Sequence, residues 1–270
     1  MLFKSAGTRA LKRELQLASS QSIRYAHDFA QLYKETQKQK NELAATNRQL
    51  KKYAQDLQKN ISLLKSVNNE LQEAYYDTVH RLVLAVEYKD RFTGQHIIRM
   101  SRYSALIADK MGLPESEVLT ILNAAPMHDV GKIGIPDHII SSPNKLTQDE
   151  FSIMKRHTVI GGEILANAKS QILCLARQIA LTHHEKWDGT GYPRGLAGDA
   201  IPLAGRIVAL ADTFDALTSK RSYKDPFPVN HAAEVIKKEK GRQFDPRVVD
   251  AFLGSLDQIV KISSEVELAR

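Results

Sequence analysis

Five leucines recur at every seventh position in the N-terminal third of the chain: Leu43, Leu50, Leu57, Leu64 and Leu71. If these leucines occupy the d positions of a heptad, the a positions are Asn47, Ala54, Ile61, Asn68 and Tyr75. Leucine at d with an occasional asparagine at a is typical of a parallel two-stranded coiled coil, because paired asparagines fix register and strand number. We therefore expect a dimerisation and signalling helix over residues 38–79. The alternative is a single helix that lies on the rest of the chain.

The charge of this segment argues against a DNA-binding zipper. The chain has a net charge of +7, and residues 1–86 carry 14 Lys and Arg against 8 Asp and Glu. A basic zipper would need a cluster of cations before the heptads, but acidic residues interrupt that region at Glu14, Asp28, Glu35 and Glu42. The basic residues also occur singly, which is typical of a solvated helical face. No nucleic-acid partner is expected.

The segments that flank the heptads are also expected to be helical. Residues 1–37 form an N-terminal helical segment of unclear role, with a turn or break considered at 19–22. After the coil, four residues are too apolar for an exposed helix: Val79, Leu82, Val83 and Val86. The same helix should therefore continue into a globular domain.

The remainder of the chain shows one helical signal after another and no convincing strand pattern with alternating polarity. The predicted fold is all-α, with a long coiled-coil helix followed by a helical bundle over residues 80–260 and a tail at 261–270. No apolar run reaches eighteen residues and no signal-peptide pattern is present, so a soluble, cytoplasmic protein without a transmembrane segment is expected. The only cysteine, Cys174, lies in an apolar run and is expected to be a buried structural thiol.

The pair His128-Asp129 follows an apolar helical stretch and has the chemistry of a site for two metal ions. The imidazole can bind one ion through a single nitrogen, whereas the carboxylate has two oxygens and can bridge that ion to a second one. Lys132 lies about one helical turn further on and could contact an anionic oxygen of a substrate. For this pair alone, a buried histidine beside a capping aspartate is the better interpretation.

Seven nitrogen or oxygen donors from separate helices or helix ends could together form such a site: His96, His128, Asp129, His157, His183, His184 and Asp212. The set contains no thiolate, which suits iron, manganese, zinc or nickel and disfavours a structural zinc site of the cysteine type. Each residue taken singly is more often a satisfied polar residue than a ligand. Two adjacent imidazoles at a helix end, as in His183-His184, nevertheless need a reason.

Residues from about 80 to 255 resemble the HD-GYP domain, a branch of the HD phosphohydrolase superfamily. The matching segments are Thr93–His96, Ala125–Pro136, His157 with Gly161, His183–Pro193 and Ala211–Tyr223. Together these segments are highly specific. The heptad segment lies outside the resemblance.

The resemblance implies an all-α domain that hydrolyses cyclic di-GMP to linear pGpG and, in some members, on to GMP. In similar domains one ion would be held by His96, His128, Asp129 and Asp212, and Asp129 would bridge to a second ion held by His157, His183 and His184. Two divalent ions, with iron or manganese favoured, would activate a hydroxide for attack on the phosphodiester. The expected catalytic residues are Asp129 and Lys132.

The resemblance also implies contacts with substrate and partners. The positions that match substrate-binding residues are Lys132, Tyr192, Arg221 and Lys224. Tyr192 lies in the Gly-Tyr-Pro loop that names the family, and this loop is implicated in contacts with diguanylate cyclase domains. Glu185 is expected to orient an imidazole, and Trp187 to anchor the loop by packing.

One departure from the family pattern and two alternative functions remain. Some relatives hold a third ion with a glutamate where this chain has Phe92, so two ions are predicted and hydrolysis as far as GMP is in doubt. The protein could instead hydrolyse another cyclic dinucleotide or phosphoester. It could also be a non-catalytic cyclic di-GMP scaffold that acts through Tyr192 and the coil, although the complete donor set weighs against this.

Overall fold

The computed structural model describes residues 3–87, 89, 94–142, 144–219 and 225–268, and almost all of them that form regular structure are helical. The α-helices are α1 Phe3–Glu87, α2 Gly94–Lys110, α3 Glu115–Ala124, α4 Asp137–Ile140, α5 Gln148–Lys155, α6 His157–Ile164, α7 Gln171–Thr182, α8 Leu203–Thr218, α9 Val229–Lys238, α10 Pro246–Leu253 and α11 Leu256–Leu268. Two 3₁₀ helices span Ala125–Gly134 and Gly198–Ala200. Within the described ranges the structure has no strand, only two isolated bridges. The predicted all-α fold is confirmed.

Helix α1 is continuous over 85 residues. The chain divides into two compact units, one that ends at Gln72 and one that starts at Glu73. The break considered at 19–22 is wrong, because these residues lie inside the helix. The heptad leucines are exposed, from 58% at Leu50 to 68% at Leu64. No helix among the described residues is both long and apolar enough to cross a membrane.

The second unit is a helical bundle built around α8. Residues of α8 are buried on most sides of the helix, which places it in the middle of the unit. Helix α2 packs against it and buries a stripe with the 3.6-residue period of an amphipathic helix, formed by Ile97, Met100, Tyr103 and Ile107. Helix α7 also packs against α8, and it contacts α3 and α6 as well.

Local sequence signals start several of these helices. Pro114 precedes α3, Pro228 precedes α9, and Pro246 is the first residue of α10. The predicted capping box is present at α5, where the Glu150 amide donates to Thr147 Oγ1 at 3.3 Å and the Thr147 amide donates to Glu150 Oε2 at 2.8 Å. These helix starts were predictable because they depend on neighbouring residues alone.

The structure differs from the sequence-based expectations where the outcome depends on packing. Val83 and Val86 are buried, but Leu82 is 64% exposed, because it lies at the edge of the stripe that these valines form on α1. Helix α11 continues past residue 260 to Leu268 and buries Val266, so packing in this unit extends beyond the expected boundary.

Cys174 is exposed, and the prediction of a buried thiol is wrong. The buried face of α7 is formed by Ala176, Ile179 and Ala180. Cys174 lies on the other side of this helix, and its thiol contacts the carbonyl oxygen of Ala168 at 3.2 Å.

Candidate metal centre

The predicted His128-Asp129 pair lies in the middle of the 3₁₀ helix Ala125–Gly134, not at the end of an α-helix. A 3₁₀ helix has three residues per turn, so Asp129 and Lys132 lie directly above one another. Lys132 Nζ is 2.7 Å from Asp129 Oδ2. The conformation of this segment therefore pairs the lysine with the aspartate.

Gly131 allows this 3₁₀ helix to approach α6 closely. A Cβ atom at this position would lie 1.9 Å from the carbonyl oxygen of His157 and 2.4 Å from the amide nitrogen of Gly161. Only glycine fits this contact without a shift of backbone. The contact brings His157, the first residue of α6, next to Asp129.

The structure brings all seven predicted donors together in two neighbouring groups. The first group is Asp129, His157, His183 and His184, and the second is His96, His128 and Asp212. Within each group, one donor atom from every residue lies within 4.8 Å of the donor atoms of the others. The donors come from α2, the 3₁₀ helix, α6, the end of α7 and α8. Each group has the composition and spacing that could hold a metal ion.

The carboxylate of Asp129 faces both groups. Its Oδ2 is 3.1 Å from His128 Nε2. Its Oδ1 is 3.2 Å from His157 Nε2 and 3.5 Å from His183 Nε2. One oxygen is thus directed at each group, which is the arrangement that a bridging carboxylate requires.

Four of the five imidazoles are oriented by an acceptor next to Nδ1. These contacts join His96 to Asp215 Oδ2 at 2.8 Å, His128 to the Ala125 carbonyl at 3.1 Å, His157 to the Met154 carbonyl at 2.7 Å and His183 to the Ile179 carbonyl at 3.1 Å. Because each acceptor needs a hydrogen, Nδ1 carries the proton and Nε2 keeps its lone pair. This is the tautomer in which a histidine binds metal through Nε2.

The electrostatics of the site favour the forms that bind metal. Burial lowers the pKa of His157 to about 4 and also lowers the pKa of His184, so both imidazoles are neutral at pH 7. Burial raises the pKa of Asp129, but the nearby Lys132 and His128 lower it well below its usual value overall. Neutral imidazoles and an ionised carboxylate are what a divalent cation requires.

Unsatisfied buried atoms support the same fit. The Nε2 atoms of His157 and His183 and Oδ1 of Asp129 are buried and have no hydrogen-bond partner among the described residues. Buried polar atoms are normally hydrogen-bonded, and leaving one unsatisfied costs about 1–3 kcal/mol. A cation between these atoms would remove that cost.

The loop after α7 folds back over the histidine pair. The Tyr192 amide donates to the His184 carbonyl at 3.1 Å, and the two rings lie 4.8 Å apart at 31°. Gly191 permits this fold, because a Cβ atom there would lie 2.3 Å from the amide nitrogen of Lys186. The ring of Phe151 on α5 contacts Tyr192 edge-on at 6.2 Å. Tyr192 therefore forms one wall of the site.

Glu185 holds this loop and does not orient an imidazole, so the expectation for this residue is wrong. Its side chain is buried, and its two oxygens accept from the Arg194 amide at 2.8 Å and the Leu196 amide at 3.0 Å. The backbone of the loop offers donors to this carboxylate, and within the described part of the chain Glu185 forms no hydrogen bond or ion pair with a histidine. Glu185 thus links the histidine pair to the far side of the Tyr192 loop.

Trp187 anchors the same loop, as expected. Its ring contacts two arginines, with the guanidinium carbons of Arg206 and Arg247 at 5.6 and 5.7 Å from the ring centre. Its backbone donates to the Gln243 carbonyl and accepts from the Gly198 amide. These contacts fix the base of the loop on α8 and α10.

Replacing Glu185 by glutamine is expected to loosen the loop while leaving the fold intact. The amide side chain keeps one acceptor but turns an NH₂ group towards a backbone donor, which should cost about 1–3 kcal/mol. Hydrogen exchange measured by mass spectrometry should become faster at residues 190–198. The matched control is Glu163→Gln on the exposed face of α6. In this control, exchange at residues 190–198 should not change. Unaltered exchange at 190–198 in the Glu185 variant would contradict the anchoring role.

Sequence reasoning missed two residues behind the site and named others that lie outside the described residues. Asp215 and Arg99 are buried beside His96, although no role was predicted for either. The sequence did contain a signal for them, since each follows a predicted donor by three residues and so lies on the same helical face.

The predicted substrate-binding residues Arg221 and Lys224, and Phe92 at the position of the third-ion glutamate, are outside the described residues.

The comparisons with known proteins define the class. A family model described as HD domain matches residues 79–248, which is more than half of the chain, and the chain belongs to this family. This confirms the resemblance found in the sequence. The two donor groups described above lie within the matched region.

Three curated relatives are each 46% identical to this chain. One is the cyclic di-GMP phosphodiesterase response regulator RpfG of Xanthomonas campestris, matched over 77% of this chain and 54% of the relative. The cyclic di-GMP phosphodiesterase of Thermotoga maritima matches over 74% and 56%, respectively. The 3'3'-cGAMP-specific phosphodiesterase 2 of Vibrio cholerae matches over 73% and 38%. The chain thus spans between 38% and 56% of the length of these relatives.

Proposed function

We propose that this protein is a metal-dependent phosphodiesterase that hydrolyses cyclic di-GMP to linear pGpG. The observation that carries the proposal is the position of Asp129, whose two oxygens face two separate groups of histidine and aspartate donors. Two curated relatives named as cyclic di-GMP phosphodiesterases support the choice of substrate.

In this proposal the two groups hold two divalent ions, with iron or manganese favoured by the nitrogen and oxygen donors. One ion would be held by His96, His128, Asp129 and Asp212, and the other by Asp129, His157, His183 and His184. When bound, such a pair lowers the pKa of water to near neutrality and offsets the negative charge of a phosphodiester. The donor atoms of both groups are buried or partly buried, which strengthens their interaction with a cation.

The other proposed roles belong to residues around this centre. Lys132 keeps Asp129 ionised and adds a positive charge that can contact a phosphate oxygen of the substrate. Tyr192 covers His184 and limits the access of water to the imidazole on that side. Arg221 and Lys224 are proposed as further phosphate contacts on the sequence alone.

A second substrate class has its own support. The relative named as specific for 3'3'-cGAMP is as similar to this chain as the two named for cyclic di-GMP. Cyclic di-GMP and 3'3'-cGAMP share the phosphodiester ring and differ in one base. The donor groups act on the phosphodiester, so they serve either substrate, and residues that contact the bases must distinguish them.

A turnover assay with the whole chain tests the proposal. Protein purified without oxygen and loaded with iron or manganese would be incubated with cyclic di-GMP, 3'3'-cGAMP and cyclic di-AMP, with metal content measured on the same samples. We expect two ions per chain and hydrolysis of cyclic di-GMP to pGpG, which chelation abolishes. Further conversion to GMP would show that a third ion is not needed for the second step. A protein that holds metal but cleaves none of the three would favour the scaffold alternative.

We also propose that α1 pairs with the α1 helix of a second copy. The exposed leucines at d and the asparagines at a over residues 38–79 support a parallel homodimer. A diguanylate cyclase domain that contacts the Gly191-Tyr192-Pro193 loop remains a proposed partner. With a nucleotide messenger as substrate, the cytoplasmic location is part of the same proposal.

Replacing Asn47 by valine is expected to stabilise the coil and reduce its specificity for two strands. Valine at an a position buries apolar surface, whereas paired asparagines select the dimer at a cost in stability. Light scattering and sedimentation over a range of concentrations should show larger oligomers beside the dimer. The matched control is Asn69→Val, which makes the same substitution at an outward b position and should leave the dimer unchanged. Identical behaviour of the two variants would contradict the parallel coil.

A further inference from the structure

Asp215 is fully buried on α8, one turn after Asp212, and four hydrogen bonds converge on its carboxylate. Its Oδ1 accepts from Arg99 Nε at 2.6 Å. Its Oδ2 is 2.8 Å from His96 Nδ1 and accepts from Arg99 Nη2 at 2.8 Å and Ser219 Oγ at 3.0 Å. Every one of these donors is a side-chain atom; three of them belong to residues of α2 and the fourth to Ser219 at the end of α8.

The contact between Asp215 and His96 differs from the contacts of the other oriented histidines. His128, His157 and His183 each use a backbone carbonyl oxygen three or four residues earlier in the chain. His96 on α2 instead depends on a carboxylate from α8. The orientation of this one imidazole therefore depends on a side chain that can be replaced.

We infer that Asp215 is a positioning residue that sets the tautomer and ring orientation of His96, and that Arg99 holds Asp215 in place. This inference rests on the proposed function. An ionised carboxylate at Nδ1 keeps the proton there, so Nε2 presents its lone pair towards Asp212, whose Oδ1 lies 3.5 Å away. The rings of His96 and His128 then meet edge-on, with centroids 5.9 Å apart and planes inclined at 68°.

Arg99 restricts the orientation of the Asp215 carboxylate and also favours its ionised form. Its guanidinium binds both oxygens of Asp215, and its Nη2 also donates to Ser219 Oγ at 2.7 Å. A two-pronged contact of this kind fixes the plane of the carboxylate. The plane of Asp215 in turn determines where the proton of His96 points.

The effect of Asp215 should be confined to one of the two donor groups. His96 belongs with His128 and Asp212, whereas no hydrogen bond or ion pair joins Asp215 to His157, His183 or His184 among the described residues. Removing the carboxylate should weaken the ion held by the second group, which contains His96, and spare the ion held by the first group. A general loss of stability would instead affect both ions.

The test is Asp215→Asn, with metal content and affinity measured by dialysis against a competing chelator. The asparagine keeps the volume but carries no charge, and its NH₂ group turns a donor either towards Arg99 Nε or towards His96 Nδ1 and Arg99 Nη2. We expect the ion count to fall from two to one, because affinity at the His96 group drops roughly 10–100-fold. Two ions bound with the affinity of the wild type would overturn the inference.

The matched control is Asp245→Asn. Asp245 is equally buried and binds two arginines, Arg206 at 2.6 Å and Arg247 at 3.0 Å, but it contacts none of the seven donors in the described structure. This variant should lose thermal stability as Asp215→Asn does while still binding two ions. If Asp245→Asn also lost one ion, the loss would reflect a damaged fold and the inference would fail.

A second readout does not depend on metal. In apoprotein labelled with ¹⁵N at histidine, the His96 ring should show a proton on Nδ1 in the wild type and a mixture of tautomers in Asp215→Asn. If the wild type binds no metal at all, the proposed function fails, but this spectrum still tests Asp215. An unchanged His96 tautomer would overturn the inference whatever the metal content.

Arg99→Lys provides a milder variant in case Asp215→Asn does not fold. Lysine retains the charge but loses the two-pronged contact, so the Asp215 plane should become less defined. We expect a several-fold loss of affinity at the same group and an intermediate His96 spectrum. Wild-type affinity and spectrum in this variant would count against the inference.

Discussion

Asp129→Ala is expected to lose both bound ions and to reduce hydrolysis of cyclic di-GMP by at least about 10³-fold. Among the residues that the structure describes, Asp129 is the one whose carboxylate lies next to histidines of both donor groups, with His128 on one side and His157 and His183 on the other. Its removal therefore takes one ligand from each group at once. Metal content by mass spectrometry and turnover on the same samples would measure the two losses.

The control for this substitution is Asp109→Ala, which removes an exposed aspartate from α2 in the same unit. It should retain two ions and the wild-type rate, since Asp109 contacts only the neighbouring Lys110 among the ion pairs of the described residues. If Asp129→Ala kept its turnover, Asp129 would not be the bridging ligand. If it kept one ion but no turnover, the bridge would be right and one group would be strong enough without it.

Gly131→Ala is expected to destabilise the domain by about 3 kcal/mol or more and to separate the two halves of the first donor group. The new methyl group would overlap the His157 carbonyl and the Gly161 amide, and these backbone atoms cannot rotate away as a side chain could. The 3₁₀ helix and α6 must move apart, which takes His157 away from Asp129. Chemical denaturation and metal content would record the two effects.

The control for Gly131 is Gly254→Ala. Gly254 has helical backbone angles, and its nearest neighbour to an added Cβ, the Asp250 carbonyl, lies at 3.4 Å. This variant should be neutral or more stable by up to about 1 kcal/mol, because alanine restricts the unfolded chain. Equal stability of the two variants would show that the 3₁₀ helix and α6 can separate without cost.

The seven candidate donors could be named from the sequence because the family resemblance marks their positions, although each residue alone is more often a satisfied polar residue. The neighbouring imidazoles of His183-His184 and the His128-Asp129 pair stand out in any conformation. Their separation into two groups could be taken from the family resemblance, and the structure has the same grouping. The 3₁₀ conformation around His128 could not be predicted, because a short apolar stretch that contains a proline is compatible with several types of helix.

The supporting residues could not be predicted because their roles arise from contacts between distant segments. Glu185 was expected to orient a histidine, but the nearest donors in space are amides of its own loop. Asp215 serves His96 across two helices, and only the three-residue spacing from Asp212 hinted at its direction. Burial was equally hard to assign, as Leu82 and Cys174 show, since apolar character alone does not determine which helical face meets a neighbour.

The two donor groups draw on very different lengths of chain, and this affects how the protein matures. One group is complete once residues 129 to 184 have folded, whereas the other needs α2 and α8 to meet, from His96 to Asp212. Closing the longer loop costs more entropy, so the His96 group should assemble last and open first in partial unfolding. If each group holds an ion as proposed, a newly made chain would bind the ion of the His96 group last, after α2 and α8 have come together.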